Sequence, residues 1–224
     1  MPPDQLQQRV LFRDSNLIIL DKPSGLAVHG GPKTPEHLEA MLGALRFNLS
    51  HAPRLVHRLD RDTSGCLLLA RHDKAVVRLN KLFAAGQVTK TYWAVLRGEP
   101  QQDSGVIDLP LAKISSVAEG WRMVVDPQGA SARSEWQVLG RGEGLCWVEL
   151  RPKTGRTHQI RVHCLSGLGA AIVGDPVYGD GIGRLHLHAR AVSVPYWAER
   201  EPVQAEAPPP EHMLAALRSC GYRD

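Results

Sequence analysis

Asp60, a carboxylate set among arginines, is the residue whose type and surroundings are best suited to chemistry. It lies in the stretch Leu55–Gly65 (LVHRLDRDTSG), close in sequence to Arg58 and Arg61. The apolar run Cys66–Ala70 follows directly and predicts a buried strand. In the ordinary interpretation, Asp60 and Asp62 are turn residues ahead of this strand. An ionised Asp60 could instead act as a nucleophile or as a charge stabiliser.

The same stretch also matches the first half of a calcium loop. Asp60, Asp62 and Ser64 supply oxygen atoms at positions one, three and five, and Gly65 follows at position six. A calcium loop needs a glutamate at position twelve, where this chain has Arg71. The intervening apolar run suits a strand better than a ligand loop, so the sequence argues against calcium.

A second chemical segment is Arg151–His163 (RPKTGRTHQIRVH), which carries four Lys or Arg, two His and no acidic residue. A helix entered through Thr154–Gly155 would present N–H groups and arginines to phosphate, which suits a nucleic-acid backbone. The ordinary alternative is a solvated basic helix face. The spacing of His158 and His163 differs from that of a zinc-binding H-E-x-x-H motif, and Gln159 cannot act as its base.

A third segment, Lys90–Gly98 (KTYWAVLRG), overlaps a predicted strand at Thr89–Arg97 that carries Tyr92. An aromatic residue on a strand is usually part of the core. A tyrosine also has a ring that can stack on a nucleobase and a hydroxyl that can exchange a proton. Both interpretations of Tyr92 are open on the sequence alone.

Taken together, the three segments resemble the signatures of RNA pseudouridine synthases of the RluA type. Two further stretches resemble the same family, and in the first of them Asp21 replaces the more usual asparagine. The stretches that carry the resemblance are Asn16–Gly30, His57–Gly65, Lys90–Gly98, Gly155–His163 and Gly174–Gly179 with Leu185–Ala189. They span nearly the whole chain in order.

The resemblance implies an isomerase that breaks the N-glycosidic bond of a uridine, rotates the uracil and rejoins it through C5, without cofactor or metal. Asp60 is then the catalytic carboxylate, and Arg161 is the ion-pair partner that keeps it charged. Tyr92 lies over the flipped base and takes part in proton transfer. Arg58 takes the place of the extruded uridine.

RNA is the implied partner, and the substrate-binding residues expected beside Arg58 are His57, Lys90, Lys153 and Arg156. A non-catalytic RNA-binding or RNA-chaperone protein with the same fold is the alternative, although binding alone would not require Asp60. A metal-dependent hydrolase is disfavoured because the sequence has no ligand cluster.

Several elements must position these residues. The patterns predict a hairpin over Arg9–Asp21, one helical face over Pro35–Ser50, and a helix over Lys74–Ala85. Further strands are predicted at Gly120–Val125, Ser131–Leu139, Leu145–Leu150 and Leu185–Val194. A short helix is predicted at Thr157–Leu165, and a loop at Glu199–Pro210 before a last helix. The mixture favours an α+β fold over a doubly wound one. The family implies a mostly antiparallel sheet flanked by helices, with a central RNA-binding cleft.

Length and composition set the remaining bounds. The 224 residues suit one catalytic domain, 1–224, or two lobes that share a core. A net charge of +4 permits an anionic partner without demonstrating one. The four cysteines are dispersed, which favours reduced thiols in a cytoplasmic protein. The sequence shows neither an apolar run long enough to span a membrane nor the pattern of a secretory leader. We further expect a monomer that has no membrane or metal partner.

The family-like region begins near Arg9, so we expect no N-terminal S4-type RNA-binding domain. Target choice then falls to the catalytic domain and to Gly31–Pro53, Gln101–Val125 and the proline-rich tail. Ribosomal RNA of the large subunit (23S-type) is the favoured target and transfer RNA is the alternative. The residues do not distinguish attack by Asp60 on C1′, attack on the base, or a glycal route.

Overall fold

The computed structural model describes residues 2–31, 34–116 and 120–223. The helices are α1 (Pro3–Gln7), α2 (Leu38–Met41), α3 (Asp73–Ala84), α4 (Gln159–Leu168) and α5 (Glu211–Ser219). The strands are β1 (Val10–Arg13), β2 (Leu17–Lys22), β3 (Arg54–Leu55), β4 (Ser64–Ala70), β5 (Thr89–Arg97), β6 (Ser104–Asp108), β7 (Leu111–Ser116), β8 (Gly120–Val125), β9 (Arg133–Gly142), β10 (Leu145–Pro152), β11 (Ala171–Ile172), β12 (Leu187–Val194) and β13 (Val203–Glu206). No helix within these described ranges is long and apolar enough to cross a membrane.

The chain divides into two compact units. The first comprises Met1–Lys90 and Ala189–Pro208, and the second comprises Thr91–His188 and Pro209–Asp224. In the first unit, β2 pairs antiparallel with β1 and β4, β3 pairs with β4, and β13 pairs with β12. Helix α3 packs its Ala75, Leu79 and Leu82 into the core formed by these strands.

The core of the first unit is built on two strands buried along nearly their whole length. All seven residues of β4 are buried, as are five of the six residues of β2. Strands covered on both faces read as continuous apolar runs, which is the pattern of Leu17–Leu20 and Cys66–Ala70. The imidazole of His72 accepts the N–H of Ala75 and caps the start of α3.

In the second unit the strand order is β5-β10-β9-β6, all antiparallel, and β11 pairs with β5. A separate two-stranded hairpin consists of β7 and β8. Helix α4 packs onto this unit's core through Ile160 and Cys164, and α5 does so through Met213 and Leu217. The predicted mixed, mostly antiparallel α+β architecture is confirmed.

Several element predictions need correction. The predicted helical face at Pro35–Ser50 forms only α2 and a 3-10 turn at Leu42–Leu45, since Phe47 and Asn48 adopt positive φ angles. Helix α4 starts at Gln159 rather than Thr157, because His158 is left-handed with φ of 52°. The predicted loop at Glu199–Pro210 contains β13, which pairs with β12 and so is part of a sheet. Within the insertions Gly31–Pro53 and Gln101–Val125, positions 32–33 and 117–119 lie outside the described residues.

Candidate active site

The loop that carries Asp60 is fixed by a buried lysine that sequence reasoning did not single out. Lys22 is 0% exposed at the end of β2, opposite Gly65 of β4. Its Nζ donates to the carbonyl oxygens of Pro23 at 2.8 Å, Leu26 at 2.8 Å and Arg61 at 2.9 Å. Three acceptors match the three protons of an ammonium group, so this side chain holds the backbone next to Asp60.

The charge of Lys22 is balanced by the aspartates around it. Burial lowers the pKa of Lys22 to about 7, while the negative charges of Asp62, Asp60 and Asp21 oppose that shift. The lysine is therefore near enough to Asp60 to interact with its charge. A lysine that ends a strand with four apolar residues at its start, just before Pro23, was the available sequence signal for this role.

Further backbone contacts hold the same loop. The N–H of Gly25 donates to the carbonyl oxygen of Arg61 at 3.0 Å, and the hydroxyl of Ser24 donates to that of Asp62 at 2.8 Å. The N–H of Thr63 donates to the carbonyl oxygen of Asp60 at 3.2 Å and closes a tight turn. The Asp60 side chain itself is half-buried. The loop is thus held by hydrogen bonds to its main-chain carbonyl oxygens.

Gly65 ends this turn in a conformation that requires glycine. Its φ is +103°, and a Cβ atom there would overlap the backbone of Ala189. Strand β12 therefore approaches the main chain of the loop as closely as packing allows.

His57 has a structural contact in addition to its predicted contact with RNA. Its Nε2 accepts the N–H of Leu68 at 2.9 Å, and its ring packs against Phe83 with 4.9 Å between centroids. Burial, and secondarily the charge of Lys90, lowers the pKa of His57 to about 3, so the imidazole is neutral. The RNA contact stays a prediction.

The two other predicted RNA contacts of the first unit differ in exposure. Arg58 is exposed, and its insertion in the place of an extruded uridine stays a prediction. Lys90 is half-buried, and burial lowers its pKa.

In the second unit, Arg161 forms a buried ion pair with Asp175. Its Nε donates to Oδ2 at 2.7 Å and its Nη2 donates to Oδ1 at 2.6 Å, so the ion pair is bidentate. The Asp175 side chain is 0% exposed and that of Arg161 is 6% exposed. Burial raises the pKa of Asp175, but Arg161 and the N–H groups of Val177 and Tyr178 outweigh it, so the net pKa is lowered.

The sequence placed Asp175 only in a structural segment and missed this pairing. The signal available was an aspartate followed by two residues whose N–H groups it can accept. The predicted pairing of Arg161 with Asp60 stays a prediction, because these residues belong to different units.

Helix α4 is buried at its start, which corrects the idea of a solvated basic face. Gln159 donates to the carbonyl oxygen of Arg133 and the hydroxyl of Ser134, each at 3.0 Å, while its Oε1 accepts from Thr154. His163 lies 3.0 Å from the same Ser134 hydroxyl. These buried polar contacts attach α4 to β9 and set the direction of Arg161.

The remaining predicted residues of this unit lie around that helix. Tyr92 is half-buried on β5, opposite Leu150, and packs against the core. Lys153 and Arg156 are exposed; Lys153 pairs with Glu135 at 2.8 Å and Arg156 donates to the carbonyl oxygen of Ser131 at 3.0 Å. Surface ion pairs of this kind are weak enough to exchange for phosphate.

Two groups of predicted residues therefore stand in two units. Asp60, Arg58, His57 and Lys90 belong to the first, and Tyr92, Arg161, Lys153 and Arg156 belong to the second. Among the residues described, no cluster of three or more His, Cys, Asp or Glu could hold a metal ion.

The family model for RNA pseudouridylate synthase matches residues 16–166, which is more than half of the chain and includes Asp60, Tyr92 and Arg161. The chain belongs to this family. The family and enzyme class predicted from the sequence are thus confirmed, and the synthase is an isomerase that acts on RNA.

Individual relatives agree with the family. The synthase is 49% identical to an uncharacterised RNA pseudouridine synthase of Zymomonas mobilis over 210 residues, covering 92% of this chain and 95% of the relative. It is 35% identical to ribosomal large subunit pseudouridine synthase C of Vibrio vulnificus, covering 96% of this chain and 70% of the relative. The structure is also similar to that of human RNA pseudouridylate synthase domain containing 4. The TM-score is 0.82 at 28% identity, over 97% of this chain and 95% of the human one.

Proposed function

We propose that this synthase converts selected uridines of ribosomal RNA to pseudouridine, with Asp60 as the catalytic carboxylate. The observation that carries the proposal is the loop geometry. Lys22, Gly25 and Thr63 fix the backbone carbonyls of Asp60 and Arg61 through hydrogen bonds of 2.9 to 3.2 Å. A fixed backbone beneath a half-buried carboxylate is the preorganisation that a reacting group needs.

The reaction needs an ionised carboxylate and a proton acceptor. The bond between N1 of the uracil and C1′ of the ribose breaks, the base rotates, and a bond between C5 and C1′ forms. The proton on C5 leaves to solvent and N1 gains one, so atoms balance. The base must leave the helical stack to reach Asp60, and Tyr92 supplies a ring on which it can stack.

Arg161 is the proposed charge partner of Asp60, and its ion pair with Asp175 supports that role. A guanidinium held on one side by a buried carboxylate has a fixed position and keeps its positive charge. Asp175 has both oxygens engaged by Arg161 and by backbone N–H groups, so it is the anchor of the arginine.

RNA binding is assigned to basic side chains on the surface. Arg58 is proposed to fill the space of the extruded uridine, and Lys153 and Arg156 to meet phosphates. Large-subunit ribosomal RNA is the proposed substrate because the Vibrio relative is named for it. Transfer RNA is the second substrate to test. Action as a cytoplasmic monomer without a metal ion is part of the same proposal.

Tritium release from RNA labelled at C5 of uridine tests the proposal. We expect release from a large-subunit ribosomal transcript and less from a transfer RNA transcript. Asp60→Asn keeps the side-chain volume but removes the charge. It should lower the rate at least about 10³-fold, while filter-binding affinity for the same RNA stays within about threefold.

Asp103→Asn is the matched control, because that carboxylate is 84% exposed and pairs with Arg141 on the surface. It should release tritium at the wild-type rate. Normal turnover by Asp60→Asn would remove Asp60 from the chemistry. RNA binding without tritium release by the wild type would support the RNA-chaperone alternative, which the comparisons do not favour.

A further inference from the structure

The β7–β8 hairpin carries an exposed tryptophan that is stacked on the residue at the start of helix α4. The side chain of Trp121 is 45% exposed, and its ring lies 4.9 Å from that of His158 with 28° between the planes. The ammonium group of Lys113 lies over the same tryptophan ring, 5.0 Å from its centroid. An exposed indole that contacts both an imidazole ring and a cation has a defined position.

The hairpin turns one particular face towards α4. Strand register pairs Lys113 with Met123 and Ser115 with Trp121, so these residues share a face. Met123 on this face is buried in a small cluster with Val162 of α4. Ile114 belongs to the opposite face and is 41% exposed.

The contact continues from His158 to Tyr178. Nδ1 of His158 lies 3.0 Å from the Tyr178 hydroxyl oxygen, which also accepts the N–H of Met123 at 2.9 Å. Tyr178 is thereby held by the hairpin and by the residue that precedes α4. His158 is in the left-handed region with φ of 52°, which costs a residue without glycine's freedom about 1 kcal/mol or more.

Tyr178 in turn contacts both members of the buried ion pair. Its ring lies under the guanidinium of Arg161, with 5.1 Å between Cζ and the centroid. Its backbone N–H donates to Oδ1 of Asp175 at 3.0 Å. An unbroken series of contacts therefore runs from Trp121 through His158 and Tyr178 to Arg161.

We propose that Trp121 is a positioning residue for the reaction, which acts through His158 and Tyr178 to hold the Arg161 side chain in one orientation. The inference rests on the proposed function, because it takes Arg161 as part of the machinery. The Tyr178 ring supplies what the ion pair with Asp175 alone does not, an aromatic contact with the guanidinium. Without Trp121, His158 can relax from its left-handed conformation, and Tyr178 then loses its contact with the His158 ring.

Steady-state tritium release with Trp121→Ala, Trp121→Phe and Ile114→Ala tests this role. A displaced catalytic partner lowers kcat, and a misplacement of about 1 Å costs up to about 10²-fold. We expect Trp121→Ala to lower kcat about tenfold with KM changed less than about twofold. Trp121→Phe should recover most of kcat, because a ring at this position still stacks on His158. Ile114→Ala should match the wild type.

Three results would overturn the proposal. A higher KM at unchanged kcat would make Trp121 a contact for RNA only. A loss of kcat in Ile114→Ala equal to that in Trp121→Ala would mean that any change in the hairpin has the effect. Unchanged kinetics in Trp121→Ala would remove the residue from the reaction.

Two further measurements keep the outcomes separable. If Trp121→Ala does not fold, as judged by its thermal unfolding, Tyr178→Phe takes its place, since it keeps the ring under Arg161 and removes only the hydroxyl contacts. A retained kcat in that variant would overturn the role of the stack. Wild-type tritium release that is lost in Asp60→Asn establishes the proposed function independently of Trp121.

Discussion

Replacing Asp175 by asparagine breaks the buried ion pair that holds Arg161. The wild-type carboxylate accepts from Arg161 at 2.6 and 2.7 Å and from the N–H groups of Val177 and Tyr178 at 2.9 and 3.0 Å. Asparagine keeps one oxygen, which can still accept the two backbone N–H groups. Its amide group, however, presents N–H donors to a guanidinium that has only donors.

The magnitude follows from burial. Both side chains are at least 94% buried, at 6% and 0% exposure, so the arginine charge is left without solvent or its carboxylate. Removing one partner of such a pair typically costs about 3–5 kcal/mol of unfolding free energy. The guanidinium also loses its fixed orientation, so we expect kcat to fall at least about tenfold.

Asp180→Asn is the matched control in the same loop. Its carboxylate pairs with Arg97, whose side chain is 61% exposed, so solvent replaces the lost contact. Urea unfolding and tritium release on both variants measure the two effects. Because Arg161 lowers the pKa of Asp175, the pair is fully ionised above the ordinary carboxyl range, and the stability difference should be constant from pH 6 to 8. Equal stability and equal kcat in the two variants would refute the reasoning.

Three further predictions follow from the loop that carries Asp60. Gly65→Ala should destabilise the protein by about 3 kcal/mol or more by urea unfolding, because φ is +103° and a Cβ meets the β12 backbone. Gly43→Ala, in open space, should change it by less than about 1 kcal/mol. Since burial lowers the pKa of His57 to about 3 from 6.5, the unfolded chain binds the extra proton first. Stability should therefore fall as pH drops below 6.5, less steeply in His57→Gln, and identical slopes would contradict this. Lys22→Met should lower kcat about tenfold or more in tritium release, because the Arg61 carbonyl loses its hydrogen bond from the ammonium group and keeps the one from the N–H of Gly25. Lys81→Met, at an exposed position, should leave kcat unchanged, and equal rates in both variants would contradict this role of Lys22.

Local patterns predicted much of the fold. The continuous apolar runs Leu17–Leu20 and Cys66–Ala70 identified most of β2 and β4, since strands buried on both faces are rich in apolar residues. The start of α3 followed from His72 and Asp73, because a cap is a contact between near neighbours in sequence. Strand β13 was missed, because its residues are half-exposed and it forms only by pairing with β12.

The sequence named the candidate site residues but not the residues that hold them in place. Asp60, Tyr92 and Arg161 lie in sequence motifs that resemble those of the family. Lys22 and Asp175 act through contacts that sequence spacing does not encode. Lys22 donates a hydrogen bond to the Arg61 carbonyl, 39 positions away in sequence. Asp175 pairs with Arg161, 14 positions away. A solvated basic helix was the alternative for Arg151–His163, but Gln159 and Arg161 at the start of α4 are buried with partners.

Pseudouridine mapping of cellular RNA tests the central claim most directly. Ribosomal and transfer RNA would be compared from cells with the gene, without it, and without it but carrying either the wild-type or the Asp60→Asn protein. We predict that at least one pseudouridine in large-subunit ribosomal RNA disappears on deletion and returns only with the wild type. Restoration of that pseudouridine by Asp60→Asn, or an unchanged map after deletion, would contradict the account.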